Sequence, residues 1–329
     1  MATLNTTNPT LADLAKRTDP DGKIAKIIEI LMGTNELLED IPWIEANDGT
    51  GHKTTIRSGL PQGTWRKLNY GVQPEKSTTV QVRDGTGMLE TYAQVDESLL
   101  TLSKDKEGFM LSEHKAFLEG MNQNMATQII YGDASVNPEK ITGLAPRFNS
   151  KSAENGQNIL DAGGTGSNNT SVWLVCWDES TAHGIYPSGS VGGVNVGATK
   201  QETLTDANGG MYEGRRTHYK WDAGVTIRDW RYVVRVANID VTALTKNASA
   251  GADLIDLMVQ AIEQLPNQRM GRIAIYCNRT IRSFLRRQIA NKSNVWLSMN
   301  EVAGKKVLAF DDVPVRRVDA ILNTEARVV

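Results

Sequence analysis

Lys53-Thr54-Thr55-Ile56-Arg57-Ser58 and Thr78-Thr79-Val80-Gln81-Val82-Arg83 are two short alternating runs, and Gly59-Leu60-Pro61-Gln62-Gly63 follows the first. The alternation predicts strands and the Gly/Pro cluster a turn. Neither run has an apolar face. A two-stranded ribbon with two polar faces is barely stable alone in water. The Thr-, Gly- and charge-rich segment 45–105 therefore needs a neighbour, either elsewhere in the chain or on another subunit.

Helical patterns flank this segment. Thr10 and Asp13 form a variant capping box, which predicts a short helix from Leu11 to Arg17, broken by Asp19-Pro20-Asp21-Gly22. Ile24, Ile27, Ile28 and Leu31 then share one helical face. Gly33 interrupts that face, Leu37 and Leu38 extend it to Asp40, and Ile41-Pro42 ends it. After the ribbon, residues 108–132 predict one long helix. Its stripe of Phe117, Leu118, Met121, Met125 and Ile129 is thin, so one side packs and the others face solvent or partners. Gly132 stands where a C-cap is expected.

The rest mixes loops, strands and helices. Residues 136–170 are loop-rich, and residues 188–224 are glycine-rich and weakly patterned. Strands are expected at Val172–Trp177, Arg231–Val236 and Arg272–Cys277, with helices from Leu254 to Leu265 and from Arg279 to Ala290. A hairpin is expected around Asp311-Asp312. There is no regular βαβ alternation and no internal repeat, so the class is α+β.

The totals exclude several functions. In 329 residues the formal net charge is −2, whereas a protein that grips nucleic acid through its phosphates is usually clearly basic. No apolar run approaches the roughly 18–20 residues of a membrane span. Met1-Ala2-Thr3-Leu4-Asn5 is not a basic segment followed by an apolar one, so a secretory signal is not expected. Cys176 and Cys277 sit in apolar, strand-like runs and read as buried free thiols, with a disulfide left open.

Catalytic motifs fail in turn. Gly163-Gly164-Thr165-Gly166 lacks the Lys-Ser/Thr of a phosphate loop, and Gly189-Ser190-Val191-Gly192-Gly193 reads as a surface loop. His52, His114, His183 and His218 show no metal-ligand spacing, and His114 reads as a surface residue. No catalytic, cofactor or metal residue is predicted. One charge cluster remains: Arg279, Arg282 and Arg286 share a helix face with Arg287 beside it. Two readings are open, a solvated face paired with carboxylates or a wall facing DNA or another subunit. Trp173, Trp177, Trp221 and Trp230 read as core. Trp43 and Trp65 are divided between local packing and a lattice contact.

Four stretches, in order along the chain, carry a resemblance: Asn8–Arg17 continuing through Asp21-Gly22-Lys23-Ile24, Thr50–Pro61, Asn137–Arg147, and Tyr219–Gly224 through Arg228–Tyr232. His183-Gly184-Ile185-Tyr186-Pro187 fits as well. The chain resembles the major capsid proteins of short-tailed phages of the epsilon-fifteen and Bordetella-phage type. The resemblance implies a Hong Kong 97-type fold. Residues 1–44 would be an N-terminal arm, 45–105 an extended two-stranded loop, 106–135 a spine helix, and 136–329 the peripheral and axial domains.

It also implies a non-enzymatic subunit that forms hexamers and pentamers of an icosahedral head around double-stranded DNA. Assembly would take place in the bacterial cytoplasm, with no membrane. A separate scaffolding protein is expected, because no long charged N-terminal scaffolding region is present. A portal and a cement or decoration protein would be further partners. Inter-subunit contacts are expected at Trp43, Arg57, Trp65, Arg66, Lys67 and Arg83. A DNA-facing or inter-subunit basic face is expected at Arg279, Arg282, Arg286 and Arg287. Two rivals remain: an encapsulin-like compartment holding protein cargo, and an enzyme whose site is unrecognised.

Overall fold

The structure is a computed structural model that describes residues 8–11, 13–14, 35–206, 208–244, 252–291, 297–302 and 305–329. The expected break at Asp19–Gly22 and the apolar face of Ile24, Ile27, Ile28 and Leu31 lie outside them, as does Gly33. The capping box is present in both directions. Thr10 N–H donates to Asp13 Oδ2 at 2.9 Å, and Asp13 N–H donates to Thr10 Oγ1 at 3.4 Å. Leu14 is buried with Val95, Leu99, Leu100, Phe109 and Met110. A short helix, α1 (Leu37–Asp40), stops where Ile41 turns extended ahead of Pro42.

The strands follow in chain order: β1 (Trp43–Glu45), β2 (Gly51–Gly59), β3 (Thr78–Gly85), β4 (Gly87–Asp96), β5 (Ile159–Asp161), β6 (Asn169–Trp177), β7 (Ala182–Tyr186) and β8 (Asn195–Val196). Then come β9 (Lys200–Thr205), β10 (Met211–Ile227), β11 (Val233–Asp240), β12 (Arg272–Cys277), β13 (Leu297–Val302), β14 (Lys305–Phe310) and β15 (Val313–Arg317). Among the described residues β2 and β3 pair only with each other, while the other strands connect into one branched sheet. The path of that sheet is β13-β14-β15-β12-β6-β7-β10-β4.

β6 is buried along its whole length and has a core on each face. Trp173, Val175 and Trp177 point into one cluster, and Val172 and Leu174 into the other. This is the period-two alternation of a strand covered on both sides. β12 repeats it, with Ala274 and Tyr276 on the first face and Ile275 and Cys277 on the second. The amphipathic helices Leu254–Glu263 and Arg279–Asn291 cover the second face through Leu254, Met258, Ile262, Ile281 and Leu285. Met121, Met125 and Ile129 of the long helix Lys106–Tyr131 join the first. Cys176 and Cys277 are free and buried, and burial raises their thiol pKa values to about 11 and about 12.

Two details differ from expectation. The weakly patterned stretch 188–224 contains most of β10, whose N-terminal half pairs with β4 and β9 and whose end pairs with β7. Its charged residues alternate with Thr217, Tyr219 and Trp221, so a hydropathy reading sees no clear period. Residues 87–96, expected within the ribbon, leave it to pair with β10 as β4. Gly132 is the C-cap of the long helix, as expected, and its N–H donates to the Gln128 carbonyl, with φ at −55, outside the left-handed region. It is glycine because a Cβ would lie 2.4 Å from the Ile141 carbonyl oxygen and 2.5 Å from that of Gln128. The hairpin at Asp311-Asp312 is as expected, with φ 47 and φ 65 at the two turn residues, as the right-handed strand twist favours.

Gly184 is held by contact. A Cβ there would lie 2.5 Å from the Trp43 ring and 2.7 Å from Ile41 Cγ2. Gly184→Ala is expected to cost about 1–3 kcal/mol of stability as the β1–β7 seam is forced apart. The check is the urea midpoint of the unassembled chain; an unshifted midpoint would mean that the seam relaxes freely.

Candidate assembly surfaces

The ribbon's strands are in register from Gly51↔Gly85 to Ile56↔Val80, with an irregularity before Gly59↔Thr78. Every residue from 60 to 81 is exposed. Trp65 is 100% exposed, and Leu60, Leu68, Tyr70, Val72 and Val80 are exposed as well. Glu75 accepts from Gly63 N–H at 3.0 Å, which ties the two sides of the tip together. Between Arg57 and Ser77 the sequence carries Arg57, Arg66, Lys67 and Lys76 against Glu75 alone. The tip is therefore apolar and basic at once. Burying a side chain such as Trp65 or Leu68 would contribute roughly 1.5–3 kcal/mol each.

The expected contact residues separate into two groups. Arg57, Trp65, Arg66 and Lys67 lie exposed on the ribbon. Arg83, also exposed, is held near the base by Asp48 at 3.3 Å and Thr50 Oγ1 at 2.5 Å. Trp43 is half-buried in β1, tilted 6.5 Å from the Trp221 ring and against the first core, so its ring is engaged by its own chain.

The basic face divides too. Arg279 makes two hydrogen bonds to the Asp319 carboxylate, at 3.1 and 2.9 Å, and Arg282 lies 3.7 Å from Glu36. These two meet the carboxylate-paired reading. Arg286 is exposed, and Arg287 lies over the Phe284 ring at 4.6 Å and donates to Ser283 Oγ at 2.8 Å.

The histidines are placed differently from their spacing. His114 is half-buried and hydrogen-bonded to the Tyr219 hydroxyl, so it is no free surface residue, and burial lowers its pKa. His52 and His183 meet edge to face with centroids 5.6 Å apart beside Arg228. Burial first, then the Arg228 charge, pushes the His183 imidazole down to about 4. His218 stacks on Tyr92 at 4.5 Å and reaches Glu90 at 3.0 Å. Among the described residues no group of three His, Cys, Asp or Glu is placed to hold a metal ion. A cleft of about 200 Å³ between β4 and the long helix is lined by Met88, Leu89, Met125 and Ile141 among others. That is below the roughly 300–1,000 Å³ typical of ligand sites. No described helix is long and apolar enough to cross a membrane.

The chain matches the family model described as Major capsid protein GP7 over residues 19–329. None of the curated proteins matches it. It is 43% identical to a chain in the cryo-EM structure of bacteriophage Epsilon15, over 100% of this chain and 99% of that one, at a TM-score of 0.80. The bacteriophage JBD30 capsid is alike in fold alone, with 10% identity over 90% of this chain and 95% of that one, at a TM-score of 0.51. The ribbon, the long helix and the mixed body are accordingly a Hong Kong 97-like α+β fold. The chain belongs to the GP7 family of major capsid proteins, structural subunits of an icosahedral phage shell.

Proposed function

We propose that the chain builds its shell by interlocking, with the ribbon of each subunit laid across a neighbour in hexamers and pentamers that close around double-stranded DNA. The observation that carries this is the tip. Residues 60–81 are exposed without exception and include a fully exposed tryptophan among four other large apolar side chains between Leu60 and Val72. An exposed apolar strip of this kind marks a surface that another protein covers. On this reading residues 1–44 are the arm, the extended loop expected at 45–105 is centred on β2 and β3, 106–135 is the spine, and 136–329 form the peripheral and axial domains. Contacts with the neighbour run through Arg57, Trp65, Arg66 and Lys67, with Arg83 near the base.

The subunit performs no catalysis in this role. It assembles in the host cytoplasm with a separate scaffolding protein, a portal and a cement or decoration protein. Arg286 and Arg287, exposed at the C-terminal part of their helix, are the remaining residues of the basic face for DNA or a neighbouring subunit. Light scattering with negative-stain microscopy on the expressed chain, alone and with its scaffolding protein, tests the proposal. Shells, or hexamers and pentamers, are expected. A strictly small compact species under both conditions would sink it.

A further inference from the structure

The ribbon is a cantilever. Among the described residues its strands pair with no other strand, so its direction is set where it meets the body. The two buried polar residues of β2 and β3 are both at that root: His52 and Asp84, which face each other in register. Each is held by a different body arginine. Arg228 Nη2 lies 3.0 Å from His52 Nε2, and Arg147 Nη2 lies 2.8 Å from Asp84 Oδ1. Both arginines are themselves fastened. Arg147 also donates to the carbonyls of Thr142 at 3.2 Å and Val225 at 3.1 Å, and the Arg228 backbone N–H donates to Thr181 at 2.7 Å. The backbone closes tightly around the same place, for a Cβ on Gly224 would lie 2.7 Å from the Gly85 carbonyl oxygen.

We propose that Arg228 on His52 and Arg147 on Asp84 form a two-point clamp that sets the angle at which the ribbon leaves the body, making both arginines positioning residues for assembly. One contact on one strand would leave a pivot. Two contacts, on opposite strands and from different body elements, fix both swing and roll. The lever is long: Gly59 lies seven residue steps beyond His52, about 23 Å of strand. A 10° change at the root moves the far end by about 4 Å, comparable to a whole van der Waals contact distance.

The clamp depends on a neutral His52. An arginine only donates, so the imidazole must accept at Nε2 and carry its proton on Nδ1; the Asn47 backbone N–H, 3.3 Å from Nδ1, is then not a hydrogen-bond donor to the ring. Burial, and then the Arg228 charge, lower the His52 pKa and keep the ring neutral. The charged or titratable groups around it are Arg228, His183 and Asp84, with Glu179 beyond and Arg147 behind Asp84. As pH falls through the lowered pKa, His52 gains a proton, loses its acceptor and sets a second positive charge beside Arg228.

The assembly half of this statement rests on the interlocking ribbon; the angle itself does not. Spin labels at Gln62→Cys and Lys200→Cys on the unassembled full-length chain report the angle directly, since Cys176 and Cys277 are buried. The unaltered root is expected to give one narrow distance distribution. Arg228→Gln, Asp84→Asn and their combination are expected to lose it, while Arg57→Gln, out on the exposed strand, keeps it. An unchanged distribution in the combined variant overturns the clamp. Should that variant fail to fold, the labelled chain with its native root is titrated to acid while the His52 ring is followed by NMR. A distribution still narrow once His52 is protonated overturns it equally. A lost narrow peak with normal shells would keep the angle-setting clamp and count against the interlocking ribbon.

Discussion

Glu325→Ala is expected to lower the unfolding free energy of the unassembled chain by about 3–5 kcal/mol, the cost of leaving a buried charge without its partner. Arg235 and Glu325 are 4% and 6% exposed, and Arg235 Nη2 lies 2.8 Å from Glu325 Oε2. The other two guanidinium nitrogens are engaged as well. The guanidinium donates to Ser171 Oγ at 3.0 Å and to the Phe148 carbonyl at 2.7 Å, and it lies over the Trp173 ring at 4.9 Å. It therefore cannot turn to water when the carboxylate goes. Glu325 also accepts from Ser171 and from Tyr131 at the end of the long helix. Burial, followed by the Glu325 charge, raises the pKa of the Tyr131 phenol and keeps it a donor. One carboxylate thus joins the C-terminal segment to the long helix, β6 and β11, and alanine would remove all three connections. Glu325→Gln keeps the shape and an acceptor and is expected to cost less. Urea unfolding followed by tryptophan fluorescence reads both; a loss below about 1 kcal/mol for alanine, the scale of an exposed pair, would contradict the account.

The second large effect is on assembly. Removing residues 60–77 and closing Gly59 to Thr78 with Asn-Gly is expected to abolish shells while leaving the body folded. Gly59 and Thr78 are already register partners, and Asn-Gly supplies the tight turn that two such strands accept. The deleted residues are all exposed, so the body loses no buried side chain. Its stability is expected to stay within about 0.5 kcal/mol, the usual range for surface changes. Scattering on the deleted chain, under conditions in which the intact chain forms shells, decides the point. Intact shells would show that the ribbon is dispensable, and a collapse of body stability would show that the tip packs on its own subunit.

Much of the architecture was legible in the residues because single-residue periods reveal local structure. Leu254, Leu257, Met258, Ala261 and Ile262 can only be one helix face, and Val172–Trp177 can only be a strand buried on both sides. The ribbon was legible for the opposite reason, since two alternating runs without an apolar face cannot fold alone. β10 was not legible. Much of its burial comes from pairing with β4, more than a hundred residues away, and that pairing tolerates Arg216, His218 and Lys220 on the other face.

The surfaces were legible only in part. Trp65 and Trp43 look alike in sequence, and the parallel β1–β7 seam that half-buries Trp43 leaves no local mark. Arg279 and Arg282 formed a plausible basic face until Asp319 and Glu36, distant in sequence, were brought against them. The root cluster of His52, Asp84, Arg147, His183 and Arg228 draws on five separated segments, so no spacing rule finds it. The His183-Gly184 stretch carried it silently within the resemblance.

A cryo-EM map of the assembled shell, traced through residues 60–77, tests the central claim most directly. The account predicts that each ribbon tip lies on a neighbouring subunit with Trp65 buried there. Tips standing free in solvent, or folded back onto their own subunit, would contradict it.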